Sequence, residues 1–211
     1  METKNITLLS ERAIWERKST RSFDCTRGIS RECLEGLLRT AMRAPSPKNR
    51  QPWHFTVVTE VAAKECLSDI LLRKLEILCG ERQERGKGTD DLELAQGSVR
   101  VLRDASVLVF VSYVRDPGNE HGDSHRWALS AQPFEVADLQ AIGAAIENLL
   151  LAAASHGIDS LWMCDVLYAC QEYQDCMGLR QPLVACVALG YQTHHQTPRE
   201  PLEAKVDEWN G

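Results

Sequence analysis

The sequence predicts an α/β or α+β sandwich in which amphipathic helices alternate with short apolar strands over 211 residues. Three observations carry this prediction. A helix after Ser30 has one apolar stripe, Ala105 to Tyr113 is an apolar, β-branched run, and Glu135 to His156 is a long, mostly apolar helical segment. Because no linker or internal repeat divides the chain, we expect one domain over residues 1–211.

Two capped helices are predicted near the N-terminus. Ser10 can cap a short helix over Glu11 to Arg17, and Ser30 can cap a longer one. The longer helix has apolar residues at helical spacing, namely Leu34, Leu37, Leu38, Ala41 and Met42. It ends by Ala44, because Pro45 disfavours helical geometry in the residue before it.

The remaining elements continue the alternation of strands and helices. In chain order they are a strand over Phe55 to Thr59, a helix over Val61 to Leu78, a mobile loop over Gly80 to Gly88, the strand within Ala105 to Tyr113, a long irregular loop over Arg115 to Pro133, the helix over Glu135 to His156, a strand over Asp159 to Cys164, a helix over Tyr168 to Met177 and a strand over Leu183 to Leu189. Gly157 stands where a left-handed residue would close the long helix. The tail over 190–211 has no periodic face of its own and is expected to pack on a partner subunit.

Composition argues against several classes of partner. A net charge of −6 is unfavourable for sequence-independent nucleic-acid binding. The apolar runs are far shorter than the roughly 20 residues that cross a bilayer, and the N-terminus has no secretory h-region. We therefore expect a cytoplasmic protein that binds neither membrane nor nucleic acid. The eight cysteines have no C-x-x-C spacing and are interpreted as reduced apolar residues, so no metal site is expected.

Common catalytic and nucleotide-binding motifs are absent. The chain has no P-loop, nucleophile elbow or H-E-x-x-H sequence, and its one G-x-G, at Gly86, lacks the third glycine of a dinucleotide fingerprint. His121 and His125 are interpreted as solvated loop residues, and His194 and His195 as exposed.

Two N-terminal motifs carry the functional prediction. Arg17 to Phe23 reads Arg-Lys-Ser-Thr-Arg-Ser-Phe, a cluster that suits either a phosphate or a solvated turn. Ala44 to Phe55 reads Ala-Pro-Ser-Pro-Lys-Asn-Arg-Gln-Pro-Trp-His-Phe, a loop rich in side-chain donors. In this order they resemble the N-terminal signature of the FMN-dependent nitroreductase family. The resemblance extends over about residues 11–202. It favours a phosphate-binding role for the cluster at Arg17 to Phe23 over a solvated turn.

The resemblance implies that the FMN phosphate is held from both ends of the chain. Arg17, Lys18 and Ser19 match family positions that bind the phosphate and the ribityl chain. Gly190-Tyr191, followed by Pro-Arg-Glu-Pro, resembles the family ending whose arginine closes on the phosphate. Arg199 is therefore the candidate at the C-terminal end.

The donor loop is implied to contact the FMN of the other subunit. Pro45, Ser46 and Asn49 match contacts to its isoalloxazine ring and ribityl chain, while Gln51 is either such a contact or part of the core and the strand start. The family's long dimer helix is matched by Asn148 to Ala153. The resemblance thus implies an intertwined homodimer.

The strand after the long helix is implied to run beneath the flavin. There, Trp162, Met163 and Cys164 would act mainly through backbone amides that face N5 and O4. The family often has Glu-Gly nearby, and Cys164-Asp165 stands here, so the N5 contact stays open. A basic residue near N1 is either Arg100 or Arg103. We favour Arg100. A cation at this position would stabilise the anionic reduced flavin.

Taken as a whole, the resemblance implies an α+β, nitroreductase-like fold with a central mixed or antiparallel sheet flanked by helices. It implies a ping-pong reaction in which NAD(P)H reduces FMN and a small organic acceptor, such as a nitroaromatic or a quinone, is then reduced. The flavin carries the chemistry, so no catalytic side chain is predicted. The loop over Arg115 to Pro133 is expected to set acceptor choice. The alternatives are a deazaflavin-associated reductase, a flavin-fragmenting enzyme, a metabolite oxidase, or a flavin-binding protein without turnover.

Overall fold

The computed structural model describes residues 11–84, 91–114, 132–195 and 197–199. At its centre is a four-stranded sheet made of β1 (Trp53–Val58), β2 (Val107–Tyr113), β3 (Asp159–Met163) and β4 (Leu183–Gly190). The strand order is β1-β2-β4-β3, and every neighbouring pair is antiparallel. The fold is therefore α+β, which decides between the two classes that the alternation of elements left open.

Helices cover both faces of this sheet. They are α1 (11–16), α2 (Arg31–Ala41), α3 (Val61–Glu84), α4 (Asp91–Asp104), α5 (Gln132–Ser155) and α6 (Cys170–Met177), with 3-10 turns at Pro47–Asn49 and Asp165–Ala169. One hydrophobic cluster joins α2 and α5 to the sheet, and a second joins α3, α4 and α6 to the opposite face. Alternate residues of β2 enter the two clusters, which is why all of β2 is buried.

Two predicted helix ends are confirmed in detail. Ser30 caps α2, and its hydroxyl oxygen accepts a hydrogen bond from the Cys33 backbone N–H at 3.2 Å. Gly157 closes α5 with φ +67°, and its N–H donates to the Ala154 carbonyl at 3.0 Å. Met42, predicted as part of the α2 stripe, is 42% exposed because it lies beyond the last turn of the helix.

Three predicted boundaries are wrong. The loop expected over Gly80 to Gly88 is helical up to Glu84, since α3 is anchored in the core and one glycine costs a helix only about 1 kcal/mol. The helix expected from Tyr168 begins at Cys170, after a 3-10 turn. The end of the loop expected over 115–133 belongs to α5, because proline is tolerated in a first helical turn.

Several predictions lie outside the described residues. They concern the rest of the long loop at 115–131 with His121 and His125, the glycines at 86 and 88, and the part of the tail at 200–211. His194 and His195 are described and are exposed, as predicted.

Helix α5 is mostly apolar and is buried along one side. Among the described residues, Glu135–Ser155 is the one stretch that is long and apolar enough to cross a bilayer by length and composition. Seven apolar residues of α5 are 5% exposed or less and pack in the core, namely Ala141, Ile142, Ala145, Ile146, Leu149, Leu150 and Ala153. Val136 and Leu139 remain 55% and 41% exposed. We interpret α5 as a core helix that leaves two large apolar side chains near its start exposed in one chain.

Candidate functional site

The chain that follows α1 runs along the outer edge of β3. Ser19 forms an isolated parallel bridge with Ser160, and the Thr20 N–H donates to the Ser160 carbonyl at 3.0 Å. Because β3 is an edge strand of the sheet, this segment covers backbone groups that would otherwise lack a partner. The fold therefore brings the predicted cluster of Arg17, Lys18 and Ser19 next to the predicted strand.

A pocket of about 180 Å³ lies between this segment and the start of β3. Its lining comes from three parts of the chain and consists of Glu16, Arg17, Lys18, Ala154, Gly157, Ile158, Asp159, Ser160 and Gln192. Two of the predicted phosphate-binding residues, Arg17 and Lys18, line it directly. Their charges make it a candidate anion site.

Both cations of the pocket already pair with carboxylates. The Lys18 Nζ lies 3.1 Å from Asp159 Oδ1, and these side chains are only 16% and 13% exposed. The Arg17 Nε lies 3.4 Å from Glu147 Oε1 on α5, and this pair is more exposed, at 32% and 45%. Burial raises the pKa of Glu147, and Arg17 offsets part of that rise. The longer, more exposed pair makes Arg17 the cation that a ligand can recruit more easily.

Asp159 was not predicted as a site residue, yet it joins the segments that form the pocket. Besides pairing with Lys18, its Oδ1 accepts a hydrogen bond from the Thr20 hydroxyl at 3.3 Å. Its Oδ2 accepts one from the Gln192 backbone N–H at 2.9 Å. The available signal in the sequence was a charged residue at the start of a short strand.

The predicted ring contacts lie at the other end of β3, on opposite faces of the strand. Trp162 is 38% exposed and faces α5, where a Cβ added to Gly143 would lie 3.7 Å from its ring. Met163 is buried in the cluster on the opposite face, and Cys164 is exposed at the start of the following turn. A ligand lying over this strand would meet mainly its backbone and Trp162.

Both candidates for the basic residue lie on α4, a helix that we did not predict. Arg103 pairs with Asp69 on α3 at 3.3 Å. Arg100 is exposed and follows Ser98, whose hydroxyl donates to the Asp165 carboxylate just after β3. That hydrogen bond connects α4 to the end of β3, and the preference for Arg100 over Arg103 stays a prediction.

The predicted donor loop has an unusual backbone. Lys48, Asn49 and Gln51 have φ values of 51°, 55° and 50°. Left-handed geometry costs a residue other than glycine on the order of 1–3 kcal/mol and tends to occur at functional sites. The Ser46 hydroxyl accepts a hydrogen bond from the Gln51 N–H at 3.0 Å, and Asn49 Oδ1 accepts one from Gln51 Nε2 at 3.1 Å. Gln51 therefore bonds to other residues of the loop, and it is exposed, as are Pro45 and Asn49.

Arg50, to which the sequence analysis gave no role, anchors this loop. Its Nη2 lies 3.0 Å from Oδ2 of Asp138 on α5, and the Tyr113 hydroxyl donates to the same oxygen at 3.1 Å. Asp138 is fully buried, at 0% exposure. Burial, and then the hydrogen bond to Asp138, raise the pKa of Tyr113. A charged residue in the first turns of an apolar helix was the signal for Asp138.

One chain does not bring the donor loop to the pocket. Arg50 contacts Asp138, and Arg17 contacts Glu147, which lies nine residues later on the same helix. Nine residues correspond to about 14 Å along a helix and to two and a half turns, so the two side chains leave the helix on opposite sides. The loop and the pocket are therefore on opposite sides of α5. Arg199 is exposed and is not one of the described residues that line the pocket.

Comparisons with known proteins place the chain in one family. A profile of the nitroreductase family matches residues 14–191. A protein of Archaeoglobus fulgidus, provisionally named NADH dehydrogenase/NAD(P)H nitroreductase, is 30% identical over 184 residues, which are 84% of this chain and 82% of that protein.

Two solved structures share the fold. A BluB-like flavoprotein from Clostridium difficile 630 is 25% identical with a TM-score of 0.67, and the match covers 94% of both chains. The FMN-dependent nitroreductase NfnB from Mycobacterium smegmatis, in complex with NADPH, is 19% identical with a TM-score of 0.69, and the match covers 96% of this chain and 100% of that one. With the profile matched over most of its length, the chain belongs to the nitroreductase family.

Proposed function

We propose that this chain is an FMN-dependent oxidoreductase that uses NAD(P)H to reduce a small organic acceptor, such as a nitroaromatic or a quinone. The observation that carries the proposal is the position of Arg17, Lys18 and Ser19 along the edge of β3, beside a pocket with two cations. Membership of the nitroreductase family supports it. The FMN-dependent enzyme from Mycobacterium smegmatis, which binds NADPH, supports the choice of both cofactors.

The pocket suits the phosphate end of FMN. Its volume of about 180 Å³ is below the roughly 300–1,000 Å³ that enclose a whole small ligand, but it can take a phosphate and its neighbouring atoms. We assign Arg17 and Ser19 to the phosphate and the ribityl chain, with Arg199 as the second arginine. Lys18 belongs to the same set, and its pairing with Asp159 also holds the pocket together.

We assign the ring end of FMN to the other predicted residues. Trp162, Met163 and Cys164 would present the backbone of β3 to the ring, with Arg100 supplying a positive charge nearby. The partner subunit would contribute the loop that carries Pro45, Ser46, Asn49 and Gln51. Bound FMN supplies the hydride- and electron-transfer chemistry. The chain's own residues bind it, orient it and favour negative charge on its ring.

The flavin assignment is tested by spectroscopy on the purified protein. We expect the absorbance of oxidised flavin, release of FMN on heating, loss of the visible bands under anaerobic NADH or NADPH, and their return with a quinone or a nitroaromatic. If a bound flavin is reduced by neither nucleotide, the protein is not the proposed oxidoreductase. Loss of flavin in air with a new flavin-derived product would indicate a flavin-fragmenting enzyme instead.

We further infer that each chain forms one FMN-binding domain and that the complete site needs two copies of it. The inference is supported by the positions on α5 of Asp138, which pairs with Arg50 of the donor loop, and of Glu147, which pairs with Arg17 of the pocket. The two acids are separated by about 14 Å along the helix. It is also supported by apolar side chains that one chain leaves exposed, including Trp15 at 66% and Val136 at 55%. A second copy that covers them would bring its loop to this pocket.

The dimer has its own test, sedimentation equilibrium at low micromolar concentration. The expected result is one species of twice the mass of the chain, with one FMN per subunit. A folded monomer that binds FMN as tightly as the dimer does would contradict the shared site, because all contacts would then come from one chain.

A further inference from the structure

The carboxylate of Asp159 binds two segments of the chain at the wall of the pocket. Its Oδ1 lies 3.1 Å from the Lys18 Nζ and accepts a hydrogen bond from the Thr20 hydroxyl at 3.3 Å, both in the segment after α1. Its Oδ2 accepts a hydrogen bond from the Gln192 backbone N–H at 2.9 Å, just after β4. The side chain is only 13% exposed. Each carboxylate oxygen therefore holds a different segment.

The same two segments also pair with each other. Phe23 forms an isolated antiparallel bridge with Gln192, and the Thr193 N–H donates to the Ser22 carbonyl at 3.2 Å. Gln192 lines the pocket, as Lys18 does. The backbone pairing brings the start of the tail to the pocket, and the hydrogen bond to Asp159 sets the direction of the Gln192 N–H.

The negative charge of Asp159 at first argues against a phosphate in this pocket, because two anions repel each other. However, the carboxylate is paired with a cation at 3.1 Å, which offsets most of its charge. A lysine side chain has many rotamers, and ordering it before a ligand arrives removes that entropy cost from binding. The ordering of Lys18 should therefore outweigh the remaining repulsion.

We propose that Asp159 is a positioning residue for FMN binding, which holds Lys18 and the Gln192 backbone in the places where they line the phosphate site. The inference rests on the proposed function, because it concerns the same cofactor. Asp159 itself makes no contact with the phosphate in this account. It acts through the two segments that it joins.

The test compares the affinities for FMN and for riboflavin, which lacks the phosphate, by fluorescence titration of the full chain. Asparagine keeps the shape of the side chain, but its amide nitrogen cannot accept a hydrogen bond, so Asp159→Asn must release one segment. We expect it to bind FMN about 10-fold more weakly than the native chain. Riboflavin affinity should stay unchanged, which also shows that the variant is folded.

Two further variants separate position from charge. Glu16→Gln removes the same unit of charge from the pocket lining, but Glu16 is 53% exposed and pairs with Arg12 on its own helix. It should bind FMN at least as tightly as the native chain. Asp159→Glu keeps the charge and moves it by one methylene group, so it should weaken FMN binding as Asp159→Asn does.

A double variant tests whether Asp159 acts through Lys18. In a Lys18→Met background, the side chain that Asp159 orders is gone. Adding Asp159→Asn there should reduce FMN affinity by a smaller factor than it does in the native chain. An equal factor in both backgrounds would contradict positioning through Lys18.

Two other results would overturn the proposal. One is an Asp159→Asn variant that binds FMN as tightly as the native chain or more tightly, since charge alone would then describe the effect of Asp159. The other is an equal loss of affinity for FMN and riboflavin, which would indicate a general structural role. A native chain that binds no FMN would contradict the proposed function and this proposal together, whereas the Asp159→Asn results contradict this proposal alone.

Discussion

Replacing Arg50 with alanine is expected to lower the free energy of unfolding by about 3–5 kcal/mol. The substitution removes the cation 3.0 Å from the fully buried Asp138 carboxylate and leaves the Tyr113 hydroxyl as the partner shown for Oδ2. Among the described residues, Oδ1 has no hydrogen-bond partner to compensate. A urea titration at fixed protein concentration measures the loss, and it should be accompanied by weaker FMN binding, because Arg50 anchors the donor loop.

Two controls make this prediction specific. Arg31→Ala breaks an ion pair with Glu35 whose side chains are 92% and 48% exposed, and it should cost less than about 1 kcal/mol. The double variant Arg50→Ala, Asp138→Asn lacks the buried carboxylate that Arg50→Ala leaves without a cation. It should therefore be more stable than Arg50→Ala alone. An Arg50→Ala protein as stable as the Arg31→Ala protein would show that the buried carboxylate does not depend on Arg50.

The second large effect is expected on cofactor affinity. Arg17→Ala should weaken FMN binding by about 10- to 150-fold, which corresponds to roughly 1.5–3 kcal/mol for one charge-assisted contact to the phosphate. Arg199→Ala should have an effect in the same range. Quenching of flavin fluorescence during titration measures both. Unchanged affinity in the two variants would mean that the phosphate is held by other residues.

Two comparisons separate a phosphate contact from a structural role of Arg17. Riboflavin lacks the phosphate, so its affinity should be the same in the native chain and in Arg17→Ala. Glu147→Gln removes the carboxylate that pairs with Arg17 and should leave FMN affinity unchanged or tighter, since Arg17 is then free to meet the phosphate. If Glu147→Gln weakens FMN binding as much as Arg17→Ala does, the ion pair itself matters and the assignment is wrong.

The sequence predicted more of the fold than of the site. The Ser30 cap, the Gly157 helix end and the buried run in β2 depend on local geometry and periodicity, and each is present in the structure. Helix α4 was missed, and α3 was ended too early at its glycine, because tertiary packing outweighs local propensity there.

The site residues show the same division. The motifs located the segments of Arg17 and Asn49, but they could not show which charges are already paired. Glu147, Asp159 and Asp138 become partners only after the chain folds, because each is distant in sequence from the cation that it meets. The hydrogen bond between Ser98 on α4 and Asp165 after β3 likewise joins residues that are distant in sequence.

By itself, the sequence determined the order of most helices and strands, the family resemblance and the two segments that the resemblance assigns to FMN. These follow from side-chain periodicity, capping and short motifs, which are properties of neighbouring residues. The tertiary structure alone decided the antiparallel sheet order, the partners of Arg17, Lys18 and Arg50, and the separation of the donor loop from the pocket. All of these join residues far apart in the chain, and their geometry is set by how helices pack on the two faces of one sheet.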